Sequence, residues 1–322
     1  MRRRSYGPPS GVQPLPRSSK LSSPSQSPTE RLRLTVLRRL DGLLAGDHAG
    51  LFPGHGSDRG DARPYVAGDD PRQIDWAVTA RNHDPHVRDM IADHELDVWL
   101  ALDTSSSMAF GTALATKHEL AWSAAGAFAL LASTGGNRVG AIRTTPRPGG
   151  VRPEILPARG GSSHVGTVLA ALRRSIEDGQ KGSLGEALEL LARVTRRRGM
   201  IVVVSDFQGD PDWERPLRAL SQRHDVIAIE VIDPREVELT DVGLLAVVDP
   251  ETGRRRLVDT SSAKTRDAYG EAAGQRRRDL ATRLVRAGAD HLALSTDRDW
   301  VLDFVNFVAT RKARMAASGR SA

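Results

Sequence analysis

The chain of 322 residues is predicted to fold as a doubly wound, mostly parallel α/β sheet flanked by helices, with an N-terminal extension and a late β-hairpin insertion. Three observations point there. Two apolar runs, Val98-Trp99-Leu100-Ala101-Leu102 and Met200-Ile201-Val202-Val203-Val204, have no polar break, as strands covered on both faces do. Each run leads to an aspartate, Asp103 directly and Asp206 after Ser205. From Asp97 onward strand-like and helix-like segments alternate, which is the pattern of a parallel sheet with crossover helices.

Residues 1–29 are rich in Ser, Pro and Arg and nearly free of apolar residues, a composition that cannot offset the entropy of ordering, and they read as a disordered basic tail. Residues 30–90 form an N-terminal segment expected to pack on the domain. It begins with Leu32, Val36, Leu37, Leu40, Leu43 and Leu44 at helical spacing and continues through a Gly/Asp/His loop over 46–60. A turn at Gly68, Asp69 and Pro71 follows. The charges Asp69, Asp70, Arg72, Asp75 and Arg81 around Trp76 read as a salt-bridged clasp, with partner binding as the other role open to them.

The domain proper is expected over 91–312. Its first strand ends at Asp103, and a helix over about 116–132 places Leu120, Ala124, Phe128 and Leu131 on one face. A strand pair over 137–143 and 151–156 comes next, then helices over 164–176 and 184–196, the second buried strand, a crossing helix over 213–222 and a third buried strand over 226–232. The hairpin insertion spans about 236–262, with strands at 244–248 and 254–258 around a turn at 249–253. A long charged helix over 264–287, a last strand over 291–294 and a helix over 300–310 complete the domain, and 313–322 read as a flexible end.

The composition is that of a soluble globular protein, 39% hydrophobic and 27% charged, with aromatics at only 4%, so Leu, Val and Ala fill the interior. The net charge of +6 sits in the tail: residues 1–33 hold seven basic residues and one acidic one, while the remainder balances at 39 of each. This argues against a folded nucleic-acid-binding face and leaves weak, salt-sensitive contact through the tail as an alternative. With no cysteine, no run near the length of a membrane span and no signal-peptide core, the expected location is cytoplasmic.

The chemistry is expected at the strand ends, where open α/β sheets bind ligands. Asp103-Thr104-Ser105-Ser106-Ser107 presents one carboxylate and alternate hydroxyls where a buried strand opens into a loop, an oxygen-only donor set suited to Mg²⁺ or Mn²⁺. Asp206 ends the strand expected beside the first, so both carboxylates should flank one crevice. Asp103, Ser105 and Ser107 make the D-x-S-x-S pattern of the metal-ion-dependent adhesion site (MIDAS), and the chain resembles von Willebrand factor A-type (vWA) domains from about residue 91 onward.

That resemblance implies a Rossmann-type fold and a third-loop hydroxyl ligand, a threonine in the family, for which Ser183 is the matching position; Thr167 and Ser163 lie one helix too early. The run 54–60, then Arg63-Pro64-Tyr65, the segment 68–76 with Ala80-Arg81, and Leu294-Ser295-Thr296-Asp297 before a Trp-containing helix further resemble the bacterial proteins grouped as domain of unknown function 58. The likeness extends over roughly 31–312. It implies a vWA-type adaptor working with a MoxR-type AAA+ ATPase and an unidentified client in a chaperone-like or maturation system, without an enzymatic activity of its own. The N-terminal membrane helices of many members are missing from this sequence.

The alternative at the same crevice is a divalent-metal-dependent phosphohydrolase. A haloacid-dehalogenase-type phosphotransferase needs a second carboxylate two residues after its nucleophilic aspartate, and position 105 is serine. No P-loop, H-E-x-x-H or G-x-S-x-G motif is present.

Overall fold

The computed structural model describes residues 62–66, 74–82, 84–88, 95–148, 150–177, 182–248 and 254–318. The basic tail, the expected first helix, Asp69, Asp70, Arg72 and the hairpin turn lie outside them. In chain order the elements are β1 (Ala62–Pro64), α1 (Trp76–Asn82), β2 (His86–Arg88), β3 (Asp97–Leu102), α2 (Lys117–Thr134), β4 (Arg138–Arg147) and β5 (Gly150–Arg159). There follow α3 (Ser162–Glu177), α4 (Leu184–Val194), β6 (Gly199–Ser205), α5 (Glu214–Ser221), β7 (Asp225–Ile232), β8 (Leu244–Val248), β9 (Arg255–Asp259), α6 (Ala263–Arg286), β10 (Asp290–Ser295) and α7 (Trp300–Ser318).

Six strands form one sheet in the order β10-β7-β6-β3-β4-β5. All neighbouring pairs are parallel except β4 with β5. This is the mostly parallel α/β architecture that the sequence predicts. The two unbroken apolar runs are the central strands β3 and β6, paired with Leu102 opposite Val204. Alternation splits each of them between two cores. Val98, Leu100 and Leu102 pack with α2, α3 and α7, and Trp99 and Ala101 with α4, α5 and α6. Leu100 is fully buried, so its truncation to alanine would cost about 2–5 kcal/mol.

Helix α2 is buried along nearly its whole length from Leu120 to Ala132, which explains why its apolar residues occupy more than one face. A capping box of Thr116 and Glu119 fixes its start. The hairpin β8–β9 forms a separate two-stranded sheet where the sequence places an insertion.

One region differs from expectation. Helix α7 continues to Ser318, through residues read as a flexible end, because buried Arg311 pairs with Asp225 and Asp290 and Arg314 adds a second bridge to Asp290. In the N-terminal segment, Asp75 accepts a hydrogen bond from the Val78 amide at the start of α1, while Trp76 is 72% exposed and Arg81 lies on the surface. No described helix is long and apolar enough to cross a membrane.

Candidate functional site

The parallel register continues one step past the end of β3. The Asp103 amide donates to the Val204 carbonyl at 2.9 Å, which sets Asp103 beside the end of β6. Its Oδ2 accepts from Ser205 Oγ at 2.5 Å and its Oδ1 from the Ser105 amide at 2.8 Å. The 3₁₀ turn Ser106–Ala109 then curls the chain so that Ser105 Oγ and Ser107 Oγ lie 3.1 Å apart. Thus the carboxylate and the two spaced hydroxyls are gathered on one loop, as the sequence implies.

Asp103 is 5% exposed and has no ion-pair partner among the described residues. Burial, reinforced by nearby Asp206 and only partly countered by the Ser205 and Ser105 hydrogen bonds, pushes its carboxyl up from 3.8 to about 6.

Asp206 sits equally deep, at 4% exposure, but in different company. Its Oδ1 accepts from the Gln208 amide, and its Oδ2 receives a hydrogen bond from Lys117 Nζ at 2.6 Å. Lys117, fully buried in the first turn of α2, also donates to Glu236 Oε1 at 2.6 Å. Glu236 belongs to the turn Pro234–Glu236 after β7, where Asp233 caps the turn and accepts from Thr112 and Thr296. Burial pushes the Glu236 carboxyl up against the pull of Lys117. The adjacent His118 is forced down to about 4, by burial first and then by the Lys117 charge, so it is neutral near pH 7.

Just after Asp206 the backbone itself is unusual. Phe207 has φ +52°, a left-handed conformation that costs a non-glycine residue about 1–2 kcal/mol. Its backbone N–H donates a hydrogen bond to Ser205 Oγ at 2.8 Å, and its ring packs edge-on against Trp213, with centroids 5.0 Å apart. Ser205, the last residue of β6, faces Asp103, and Asp206, next along, faces Lys117.

The third loop lies against the first. The Gly182 amide donates to Thr104 Oγ1 at 3.2 Å, and a Cβ at Gly182 would come within 2.2 Å of Thr144 Cγ2, so only glycine permits this approach. Ser183, next along, is exposed. Its hydroxyl accepts from the Glu186 amide as the N-cap of α4 and donates to Asp212 Oδ2 at 2.7 Å.

Of the five expected ligands, Asp103, Ser105 and Ser107 converge. Asp206 lies close enough to act on Asp103 electrostatically, with its carboxylate bonded to Lys117 and Gln208, and Ser183 sits on the neighbouring loop with its hydroxyl bonded to Asp212. Among the described residues no three His, Cys, Asp or Glu side chains gather as a metal cluster. What is present is a hydroxyl-rich set around one uncompensated carboxylate, and that donor chemistry fits a small, hard divalent cation. Sequence reasoning missed Lys117 and Glu236. For the lysine a signal existed, since the first turn of a helix disfavours a cation unless carboxylates hold it there.

The family model for the protein of unknown function DUF58 matches residues 61–279. The chain belongs to the DUF58 family. Relatives include uncharacterized protein Rv1480 of Mycobacterium tuberculosis, 48% identical over 283 residues, which covers 87% of this chain and 88% of that one. An uncharacterized protein of Mycobacterium avium is 44% identical over 167 residues, 51% of this chain and 98% of its own length. Among solved structures, the conserved hypothetical protein BatB from Bacteroides thetaiotaomicron aligns at TM-score 0.42 and 16% identity, over 68% of this chain and 99% of that one. A von Willebrand factor type A structure from Catenulispora acidiphila aligns at TM-score 0.34 and 14% identity, over 68% of this chain and 42% of that one.

Proposed function

We propose that this DUF58 protein is a non-catalytic, metal-dependent docking module whose strand-end site takes an acidic side chain of a partner protein. The observation that carries the reading is Asp103, a buried carboxylate without a cationic partner among the described residues, bracketed by the hydroxyls of Ser105 and Ser107. A buried uncompensated charge is costly and is retained where something neutralises it in use.

In this reading Asp103, Ser105 and Ser107 are the direct ligands of Mg²⁺ or Mn²⁺, and Asp206 and Ser183, whose oxygens carry other bonds, act through water. A bound divalent ion would supply a Lewis-acidic position that an incoming Asp or Glu completes. Ser205 orients Asp103 by its 2.5 Å hydrogen bond, and the Ser105 amide fixes the other oxygen. The sequence resemblance to MIDAS-bearing domains and to the relatives of MoxR-associated adaptors supports a MoxR-type AAA+ ATPase or its client as the partner. The serine at position 105 gives Asp103 no acid–base carboxylate two residues on, which favours docking over phosphoryl chemistry.

The test is calorimetric titration of the intact chain with Mg²⁺ and Mn²⁺, followed by capture of a co-expressed MoxR-type ATPase with and without EDTA. Metal binding and EDTA-sensitive capture that both vanish in Asp103→Ala, with thermal unfolding still cooperative, are expected. Capture indifferent to EDTA and to the substitution would end the proposal.

A further inference from the structure

The Lys117 bridge is unexplained by the docking reading, which needs only a carboxylate at position 206. A lysine in the first turn of a helix works against the helix dipole. Here it is also fully buried, among the costliest places for an ammonium group. It is nonetheless fixed from several sides. Its amide donates to the Phe110 carbonyl at 2.9 Å, the Thr116–Glu119 capping box sets the turn it begins, and its Nζ contacts two carboxylates from different parts of the chain. One of these, Glu236, is itself tied to Asp233 through the reciprocal cap of its turn, and Asp233 to Thr112 and Thr296.

We propose that Lys117 is a resident counter-ion: its ammonium occupies the cation position between Asp206 and Glu236, confines a divalent ion to the Asp103 side, and lets that ion keep charge for an incoming acid. The inference rests on the docking reading for its second half only. The chemistry is direct. Ammonium and a divalent ion compete for the same carboxylate oxygens, and an ion that shares its shell with few carboxylates retains more net charge toward a further ligand. With Lys117 in place the Asp206 oxygens are committed to Nζ and to the Gln208 amide. Without it, Asp206 and Glu236 would be two carboxylates with no cation, beside a third at Asp103.

Titrating Lys117→Met with Mn²⁺ by calorimetry tests this, alongside the unsubstituted chain, Asp103→Asn and the double variant Lys117→Met/Glu236→Gln. Removing the ammonium is expected to tighten Mn²⁺ binding at least about tenfold, as added ligand charge does in oxygen sites, and the double variant to show a smaller gain in the same direction. Mn²⁺ should also raise the unfolding temperature of Lys117→Met more than that of the unsubstituted chain. Unchanged or weaker Mn²⁺ binding in folded Lys117→Met and in the folded double variant would overturn the proposal.

A measurement on the unsubstituted chain is independent of any variant's folding. The Lys117 ammonium resonance should remain slowly exchanging throughout a Mg²⁺ titration, and its loss to solvent exchange on metal addition would overturn the proposal. The two readings fail differently. No Mn²⁺ binding by the unsubstituted chain, with a site gained in Lys117→Met, would sink the docking proposal and keep only the assignment of Lys117 as the cation that occupies the position between Asp206 and Glu236. Asp103-dependent binding that Lys117→Met leaves unaltered would do the reverse.

Discussion

Asp103 and Asp206 stand at the ends of adjacent strands with nearly equal exposure, 5% and 4%, yet they live in opposite electrostatic environments. Asp206 faces an ammonium at 2.6 Å. Asp103 faces only hydroxyl and amide donors, and its carboxyl is pushed up to about 6 by burial and by its neighbour. The contrast shows that depth in the sheet does not decide what a carboxylate costs or does; the nearest opposite charge decides. The fold itself supplies a counter-charge to Asp206 and, among the described residues, none to Asp103.

The sharpest break of this contrast is Lys117→Met. Removing one partner of a buried ion pair leaves the other stranded, so chemical denaturation should show a loss of about 3–5 kcal/mol in the absence of metal. A loss below about 1 kcal/mol, the level of an exposed pair, would mean that Asp206 finds compensation elsewhere.

The opposite sign is expected at Asp103. Because the folded carboxyl titrates near 6 and the unfolded one near 3.8, the unfolded chain loses its proton first, and the native state holds more protons through that window. This residue's contribution to stability is therefore neutral below about pH 4, becomes unfavourable as pH rises toward 6, and stays so above it. Asp103→Asn should stabilise the protein by about 2 kcal/mol at pH 7.5 in EDTA and flatten the stability profile between pH 4 and 6. Urea denaturation across that range checks it, and a destabilised variant at pH 7.5 would show that the Ser205 hydrogen bond outweighs burial.

The smallest effect belongs to the third loop. Ser183→Ala should cost about 1 kcal/mol through loss of the α4 cap. It should weaken Mg²⁺ binding far less than Ser105→Ala does, because its hydroxyl already serves Asp212. Equal losses of metal affinity would put Ser183 among the direct ligands.

Local features were legible before any fold was known. The strands β3 and β6 announced themselves as unbroken apolar runs, the β8–β9 hairpin as two short strands around a turn, and the cluster of Asp103, Ser105 and Ser107 as alternate positions on one loop. Their adjacency is written in the chain because consecutive residues cannot be far apart. The long C-terminal half of α7 was not legible, since the contacts that hold Arg311 come from Asp225 and Asp290 on two other elements.

Nor was the ammonium beside Asp206. Lys117 meets carboxylates 89 and 119 residues away. The sequence by itself determined the α/β pattern, the central strands and which oxygen donors could share a loop, because hydrophobic periodicity and covalent connection act over a few residues. Only the tertiary structure decided which aspartate is paired and which is left bare. That choice depends on where a helix start and a distant turn come to rest against the ends of the sheet, and Coulomb energy in a buried site varies too steeply with distance for spacing along the chain to reveal it.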